Sequence, residues 1–382
     1  MNIYSISTVF INLGRILLKN RRAFLKQAGT VLGGITFCGC DMSTVAFAQS
    51  TPAPRAPVII NGQKVTAVDV HAHCFFQDAI DLMGPEAKTV LAPTRGQDKN
   101  FIKVEERIAN MQAQGIDMQV LSINPFWYKK DRETAAEICR INNERLGQLC
   151  AENPKHFSAF ASIAMQYPDL AVQQLEEAVK KWGLVGAAIG GSVAGEDFSR
   201  PQFRSILAKA ESLNVSLFIH PQSTPQLSSR FKGNGWLSNV IGNPLDTTIA
   251  LQRLIFDGTL DAFPHLKVIA AHGGGYLGSY APRSDHGCTV SPMMCDPSIV
   301  LRKKPTEYLK DQLYFDSLVF TPEALRHLVA QVGVSQVMIG TDHPIPWSEQ
   351  PVDHLLETPN LTDADRVAIL SGNAKRVLGL RI

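Results

Sequence analysis

Five residues of metal-binding type stand where short apolar runs end in this 382-residue chain. The first two close the stretch Val68-Asp69-Val70-His71-Ala72-His73, the end of an apolar run that begins at Lys64. Successive side chains of a strand alternate faces, so Asp69, His71 and His73 are expected on one face and Val70 and Ala72 on the other. Two imidazoles two residues apart on one face can hold a single metal ion. Far downstream, His220 ends Leu217-Phe218-Ile219, His272 ends Ile269-Ala270-Ala271, and Asp342 ends Ile339-Gly340-Thr341. Three imidazoles and a carboxylate suit a borderline divalent ion, zinc first and manganese second, with water filling an open position. His71, His73, His220 and Asp342 are assigned as ligands. His272 is then free for proton transfer, because an unligated imidazole titrates near neutrality.

These residues need a scaffold that brings strand ends together. The chain alternates short β-rich runs with longer helical patterns, which implies a parallel sheet with crossover helices. Strands are expected at 64–73, 118–123, 157–163, 185–190, 215–220, 267–272, 313–317 and 337–342. Helices are expected at 104–114, 134–152, 170–181, 202–213, 244–263 and 322–332. Eight strands interleaved with helices fit an α/β fold of the (β/α)8 TIM barrel type with small insertions, and a doubly wound open sheet is the competing arrangement. A barrel places active-site residues at the C-terminal ends of its strands, where all five residues would meet. Two-metal sites in such barrels often use a modified lysine on the fourth strand. Here Val185-Gly186-Ala187-Ala188-Ile189-Gly190 has no lysine, so one ion is expected.

Composition fits an ordinary soluble globular protein: 45% of residues are hydrophobic and 19% charged, enough apolar material for a large core. Residues 1–48 hold five of the 37 Lys and Arg and one of the 35 Asp and Glu, leaving 32 basic against 34 acidic residues beyond them. No basic patch points to nucleic acid. Asn20-Arg21-Arg22-Ala23-Phe24-Leu25-Lys26 has the twin-arginine pattern, and a weakly apolar run and Ala46-Phe47-Ala48 follow it. We expect a signal peptide over 1–48, a linker over 49–63 with the Asn61-Gly62 turn, and one catalytic domain over 64–382. The product would be exported to the periplasm or a similar compartment, with no membrane association once the signal is cleaved. Cys38 and Cys40 sit in no good lipobox, which disfavours a lipoprotein anchor. Cys74, Cys139, Cys150, Cys288 and Cys295 remain, an odd number without CxxC spacing, and predict no disulfide framework.

From about Val68 to Leu380 the chain resembles the amidohydrolase superfamily, in the branch typified by aminocarboxymuconate semialdehyde decarboxylase. The resemblance rests on Asp69-Val70-His71-Ala72-His73, Leu217-Phe218-Ile219-His220-Pro221, Trp236-Leu237 leading to Gly242-Asn243-Pro244, and His272-Gly273-Gly274-Gly275. It continues in Arg283 followed by His286-Gly287, Gly340-Thr341-Asp342-His343-Pro344-Ile345-Pro346, and the closing Ser371-Gly372-Asn373-Ala374. The resemblance implies non-oxidative decarboxylation of an unsaturated or aromatic carboxylic acid without an organic cofactor. It assigns His272 to activating water and relaying a proton. It also implies that Arg283 binds a substrate carboxylate from a neighbouring subunit, hence a homodimer, and that Trp236 lines the pocket near the metal. Without it, Arg283 would read as a surface arginine and Trp236 as packing.

The chain also departs from that pattern. A second family arginine, before the helix near Val104, has no clear match, although Arg95 lies in a loop nearby. Gln222-Ser223 follow His220-Pro221 where the typical enzyme has a Trp-Asp pair, and a short insertion precedes Trp236. These departures point toward a different substrate, one with a single carboxylate among the options. The alternative activity is metal-dependent hydrolysis of a lactone, ester or amide, which needs the same metal, water and acid or base. A third class is an exported binding protein without turnover. Gly273, Gly275 and Gly278 fit a GxGxxG pattern, but it follows the sixth strand and argues against a dinucleotide site. No Gly-x-Ser-x-Gly occurs, which excludes a serine hydrolase of that type.

Overall fold

The structure, a computed structural model, describes residues 53–91 and 94–382, so the expected signal segment at 1–48 lies outside the described residues. Asn61 and Gly62 both take positive φ, 51° and 76°, the turn that joins a two-residue antiparallel hairpin, Ile59–Ile60 to Gln63–Lys64. Lys64 therefore belongs to this hairpin, and the first strand of the main sheet is shorter than expected, Val68–His73.

The eight strands expected from the sequence all form, and each pairs in parallel with the next. Val68–His73 pairs with Met118–Ser122, which pairs with Phe157–Ala159. The third strand continues as Ala161–Ser162 and pairs with Gly186–Ile189; then follow Ser216–Ile219, Lys267–Ala270, Leu313–Asp316 and Val337–Met338. The eighth strand is regular for two residues only, yet its continuation closes the ring. Val70 N–H donates to Ile339 O at 2.9 Å, Asp342 N–H to His71 O at 2.8 Å, and His73 N–H to His343 O at 2.6 Å. The result is a closed parallel barrel, whose strands read as nearly continuous apolar runs because both faces are covered. Val68, Val120, Phe160, Phe218, Ile269 and Met338 belong to a small inner apolar cluster, distinct from the larger core between strands and helices.

Two helices keep their expected bounds, Val104–Gln114 and Pro322–Val332. Others shift slightly: Arg132–Glu152 starts at Asp131, whose carboxylate accepts the Thr134 N–H at 2.9 Å. The run expected over 244–263 divides into Asn243–Phe256 and Thr259–Ala262, because Gly258 between them takes a left-handed φ of 67°. A further helix, Leu277–Val290, was not expected behind three glycines and with Pro282 inside it. Among the described residues no helix is long and apolar enough to cross a membrane.

One expectation about cysteine is overturned. Cys288 and Cys295 form a disulfide across seven positions, leaving Cys74, Cys139 and Cys150 as free thiols. Sequence spacing could not show it, because the pairing depends on the chain reversing just after the helix Leu277–Val290.

Candidate active site

The strand ends deliver the expected cluster at one mouth of the barrel. His71 Nε2 lies 3.1 Å from His73 Nε2 and 3.2 Å from Asp342 Oδ1, and His73 Nε2 lies 2.9 Å from that same oxygen. His220 Nε2 is 3.8 Å from Asp342 Oδ1, and His272 Nε2 is 3.6 Å from Asp342 Oδ2. One ligand atom each from His71, His220, His272 and Asp342 lie mutually within 4.8 Å, a spacing a single ion can bridge. His272 is thus close enough to be a ligand as well as a proton carrier. His71, His73, His220 and Asp342 are buried, and His272 is the more open of the five.

Asp69 does not join them. The register of the first strand shifts between Asp69 and Ala72, which breaks the strict alternation that predicted a shared face. The Asp69 carboxylate instead accepts Gln119 Nε2–H at 3.0 Å, Thr341 N–H at 3.1 Å and Thr341 Oγ1–H at 2.7 Å. It also accepts the His71 N–H at 3.0 Å. Burial pushes its pKa up to about 6, against those hydrogen bonds. Asp69 therefore fastens the first strand to the second and the eighth, on either side of the two histidines.

Asp316, which sequence reasoning passed over, is the buried partner of the site. Its Oδ2 sits 2.6 Å from His71 Nδ1 and accepts the His272 N–H at 2.9 Å, while Oδ1 accepts the Gly273 N–H at 2.8 Å. A carboxylate on one ring nitrogen turns the other outward toward a metal and raises its basicity. The signal was present in outline: Asp316 is the lone acid at the end of the seventh strand, the same position as the ligands in theirs. On His73, Ser122 Oγ holds Nδ1 at 2.9 Å, again leaving Nε2 for the cluster.

The electrostatics of His71, Asp342 and His220 suit a bound cation. Burial opposes charge on His71, yet the carboxylates of Asp342 and Asp316 outweigh it and push its pKa up to about 10. Burial also opposes charge on Asp342, and the surrounding imidazoles hold it well below the usual carboxylate range. Burial pushes His220 far down, so it is a neutral imidazole, and both its ring nitrogens are buried without a partner in the protein. A neutral, unpartnered imidazole facing a carboxylate fits a metal ligand, since binding requires the deprotonated ring.

Beside the cluster opens a cavity of about 300 Å³. His73, His220 and Asp342 form part of its lining, with Phe126, Trp236 and Trp347 as aromatic wall. Trp236 stacks on Trp347 with ring centroids 5.7 Å apart and planes 10° from parallel, and both rings line this cavity. Arg283 does not. It is exposed on the helix Leu277–Val290 and lies outside the cavity lining. Arg95 is also exposed, 3.9 Å from Glu349. The glycines after His272 serve close approach: a Cβ on Gly275 would lie 2.1 Å from Pro244 O.

Comparison with known proteins agrees with this construction. A family model described as amidohydrolase matches residues 68–380. The 2-amino-3-carboxymuconate-6-semialdehyde decarboxylase of Dictyostelium discoideum is 32% identical over 286 residues, 74% of this chain and 78% of that protein. The gamma-resorcylate decarboxylase of Rhizobium radiobacter is 30% identical over 290 residues, 72% of this chain and 87% of that protein. A dihydroxybenzoic acid decarboxylase structure from Polaromonas sp., holding manganese and the inhibitor 2-nitroresorcinol, superposes with a TM-score of 0.71 at 24% identity. It covers 83% of this chain and 98% of that one. The matched span takes in every clustered histidine together with Asp316 and Asp342, and the chain belongs to the amidohydrolase family.

Proposed function

We propose that the chain is a metal-dependent, non-oxidative decarboxylase of an aromatic carboxylic acid. The observation that carries this reading is a buried His and Asp cluster opening onto an aromatic-walled cavity, in a chain whose similar relatives are named as decarboxylases. His71, His73, His220 and Asp342 would hold one divalent ion. The choice of His73 over His272 is supported by its shorter distances to His71 and Asp342 and by Ser122, which fixes its ring. Zinc and manganese both suit this donor set, and manganese occupies the Polaromonas relative.

A divalent ion held by these residues would supply positive charge that orients the substrate carboxylate. The protein's own groups do the rest. His272, with Nδ1 unpartnered, carries the proton to the ring carbon that bears the carboxylate. The bond from that carbon to the carboxylate then breaks, carbon dioxide leaves, and the bonding pair restores the aromatic ring. Asp316 holds the His272 backbone and the His71 ring in one arrangement, so proton carrier and ligand keep a fixed relation. Trp236 and Trp347 offer flat surface to an aromatic ring.

Export remains part of the proposal. The twin-arginine pattern supports it, and the Cys288–Cys295 disulfide suits an oxidising compartment. A homodimer is proposed on the resemblance, with the exposed Arg283 available to a second copy. The test is carbon dioxide release by the metal-loaded protein from a panel of hydroxybenzoates, with lactone and ester hydrolysis followed in parallel. Metal-dependent release supports the reading. Metal-dependent hydrolysis without release would move the protein to the hydrolases.

A further inference from the structure

Among the described residues Arg107 is the only arginine or lysine that is buried, at 3% exposure on the helix Val104–Gln114. Its Nε–H donates to Gln119 Oε1 at 2.8 Å, while Nη1 and Nη2 are both buried without a partner in the protein. Gln119 in turn donates its Nε2–H to Asp69 Oδ2 at 3.0 Å, so that carboxylate reaches the guanidinium only through an amide. The neighbouring Cys74 thiol is pushed up to about 12 by burial and brings no charge. Burial pulls Arg107 down to about 10, which still leaves it charged near neutral pH. A buried cation whose donors have no acceptor is costly, and the cost falls when an anion takes them up.

Arg107 lines a recess of about 20 Å³, together with Lys99, Lys103, Asn110 and His343. Asp98 and Glu106 stand at its exposed rim. There Lys103 lies 3.5 Å from Glu106, and Lys99 offsets Asp98 in charge, so the guanidinium is the cation left over. A space of this size takes a ligand of one centre and is too small for a benzoate or a phosphate.

We propose that this recess is a binding site for one halide-sized monovalent anion, chloride in ordinary media, held by Nη1 and Nη2 of Arg107 with Lys99 at its rim. The planar guanidinium offers charge-assisted donors, and a single negative charge matches the single cation left over. Because Nε is fixed by Gln119 of the strand Met118–Ser122, an ion on the far side of the fork ties the helix to the barrel. None of His71, His73, His220, His272 and Asp342 lines the recess, and the inference does not rest on the decarboxylase reading.

The test pairs crystals of the metal-loaded protein grown in sodium bromide with thermal unfolding in sodium chloride and in sodium gluconate at equal ionic strength. An anomalous bromine peak is expected in the recess against Arg107, and saturating chloride should raise the unfolding midpoint by about 2–4 °C over gluconate. Arg107→Met, which keeps bulk and removes charge, should lose both peak and shift. Lys99→Gln alters only an exposed side chain and decides the matter if Arg107→Met does not fold; it should weaken chloride about three- to tenfold. A recess that holds only water, with chloride and gluconate equivalent in solution, overturns the proposal. So does a bromine peak without a chloride-specific shift, which is an adventitious ion only. A shift that survives Arg107→Met, or that comes with bromine at the metal cluster and none in the recess, places the ion elsewhere and overturns it as well.

Discussion

At the scale of single residues, the site is built from pairs in which one side chain faces the cluster and another fixes it. His71 depends on Asp316, His73 on Ser122, and the backbone around His71 on Asp69. Asp316→Asn keeps the shape and removes the charge that favours an outward-facing Nε2. Metal affinity is expected to fall about 10- to 100-fold, read by competition with a chelating dye; an unchanged affinity would mean the contact does not tune the ligand. His272→Ala should retain bound metal and lose roughly 100-fold or more in kcat, the scale of general acid or base catalysis. A variant with normal turnover would take His272 out of proton transfer, and one that loses its metal would make it a ligand. The ligand-type histidines and Asp342 were legible in the sequence because each follows an apolar strand run. Asp316 shares that placement but stands alone in Leu313-Tyr314-Phe315-Asp316-Ser317, and one buried acid has no spacing to betray it. Asp69 was misplaced for a different reason: periodicity assumes an unbroken pleat, and the register shift beside it is a property of the paired strands.

Elements were legible to the degree that local pattern decides them. The eight strands followed from apolar runs between turn signals, and the two helices with unchanged bounds from regular amphipathic spacing. The helix Leu277–Val290 was hidden because Gly273, Gly274 and Gly275 and then Pro282 read as breakers. In the structure those glycines pack the His272 turn against its neighbours, and the helix starts directly behind them. Gly275→Ala probes this join. Its φ of 68° and the 2.1 Å approach to Pro244 O mean an added methyl must push the turn away from the helix Asn243–Phe256. We expect a loss of about 1–3 kcal/mol by thermal or denaturant unfolding, with turnover falling further than stability because His272 moves with the turn. The disulfide is the contrasting case, since Cys288–Cys295 closes a loop at the exposed end of the same helix, near Met293 at 96% exposure. Cys288→Ser with Cys295→Ser should leave metal content intact and speed proteolytic cleavage around Met293. Loss of metal from that variant would show that the loop supports the site.

Across the whole molecule, the proposed ligands belong to strands that are distant in sequence, from His71 near the start of the domain to Asp342 near its end. Closure of the barrel brings them together, through the hydrogen bonds between Val70, His71 and His73 and the segment from Ile339 to His343. Metal binding is therefore a statement about the folded ring and not about any one segment. It is also a statement about protons. Asp342 and Asp316 push His71 up to about 10, so near neutral pH a proton occupies the ring that a metal ion must take over. The ion displaces that proton, and acid favours the proton's return. Apparent metal affinity should accordingly rise with pH, by roughly tenfold per unit between about pH 6 and about pH 8 if one proton leaves for each ion bound. Calorimetry in buffers of different ionisation enthalpy would count that proton directly. Because the ion binds only the closed barrel, loading at about 100 times its dissociation constant should add about 2.7 kcal/mol to stability, and the increment should shrink as pH falls. Affinity independent of pH, with no proton released, would mean that the His71 ring carries no proton for the metal to displace.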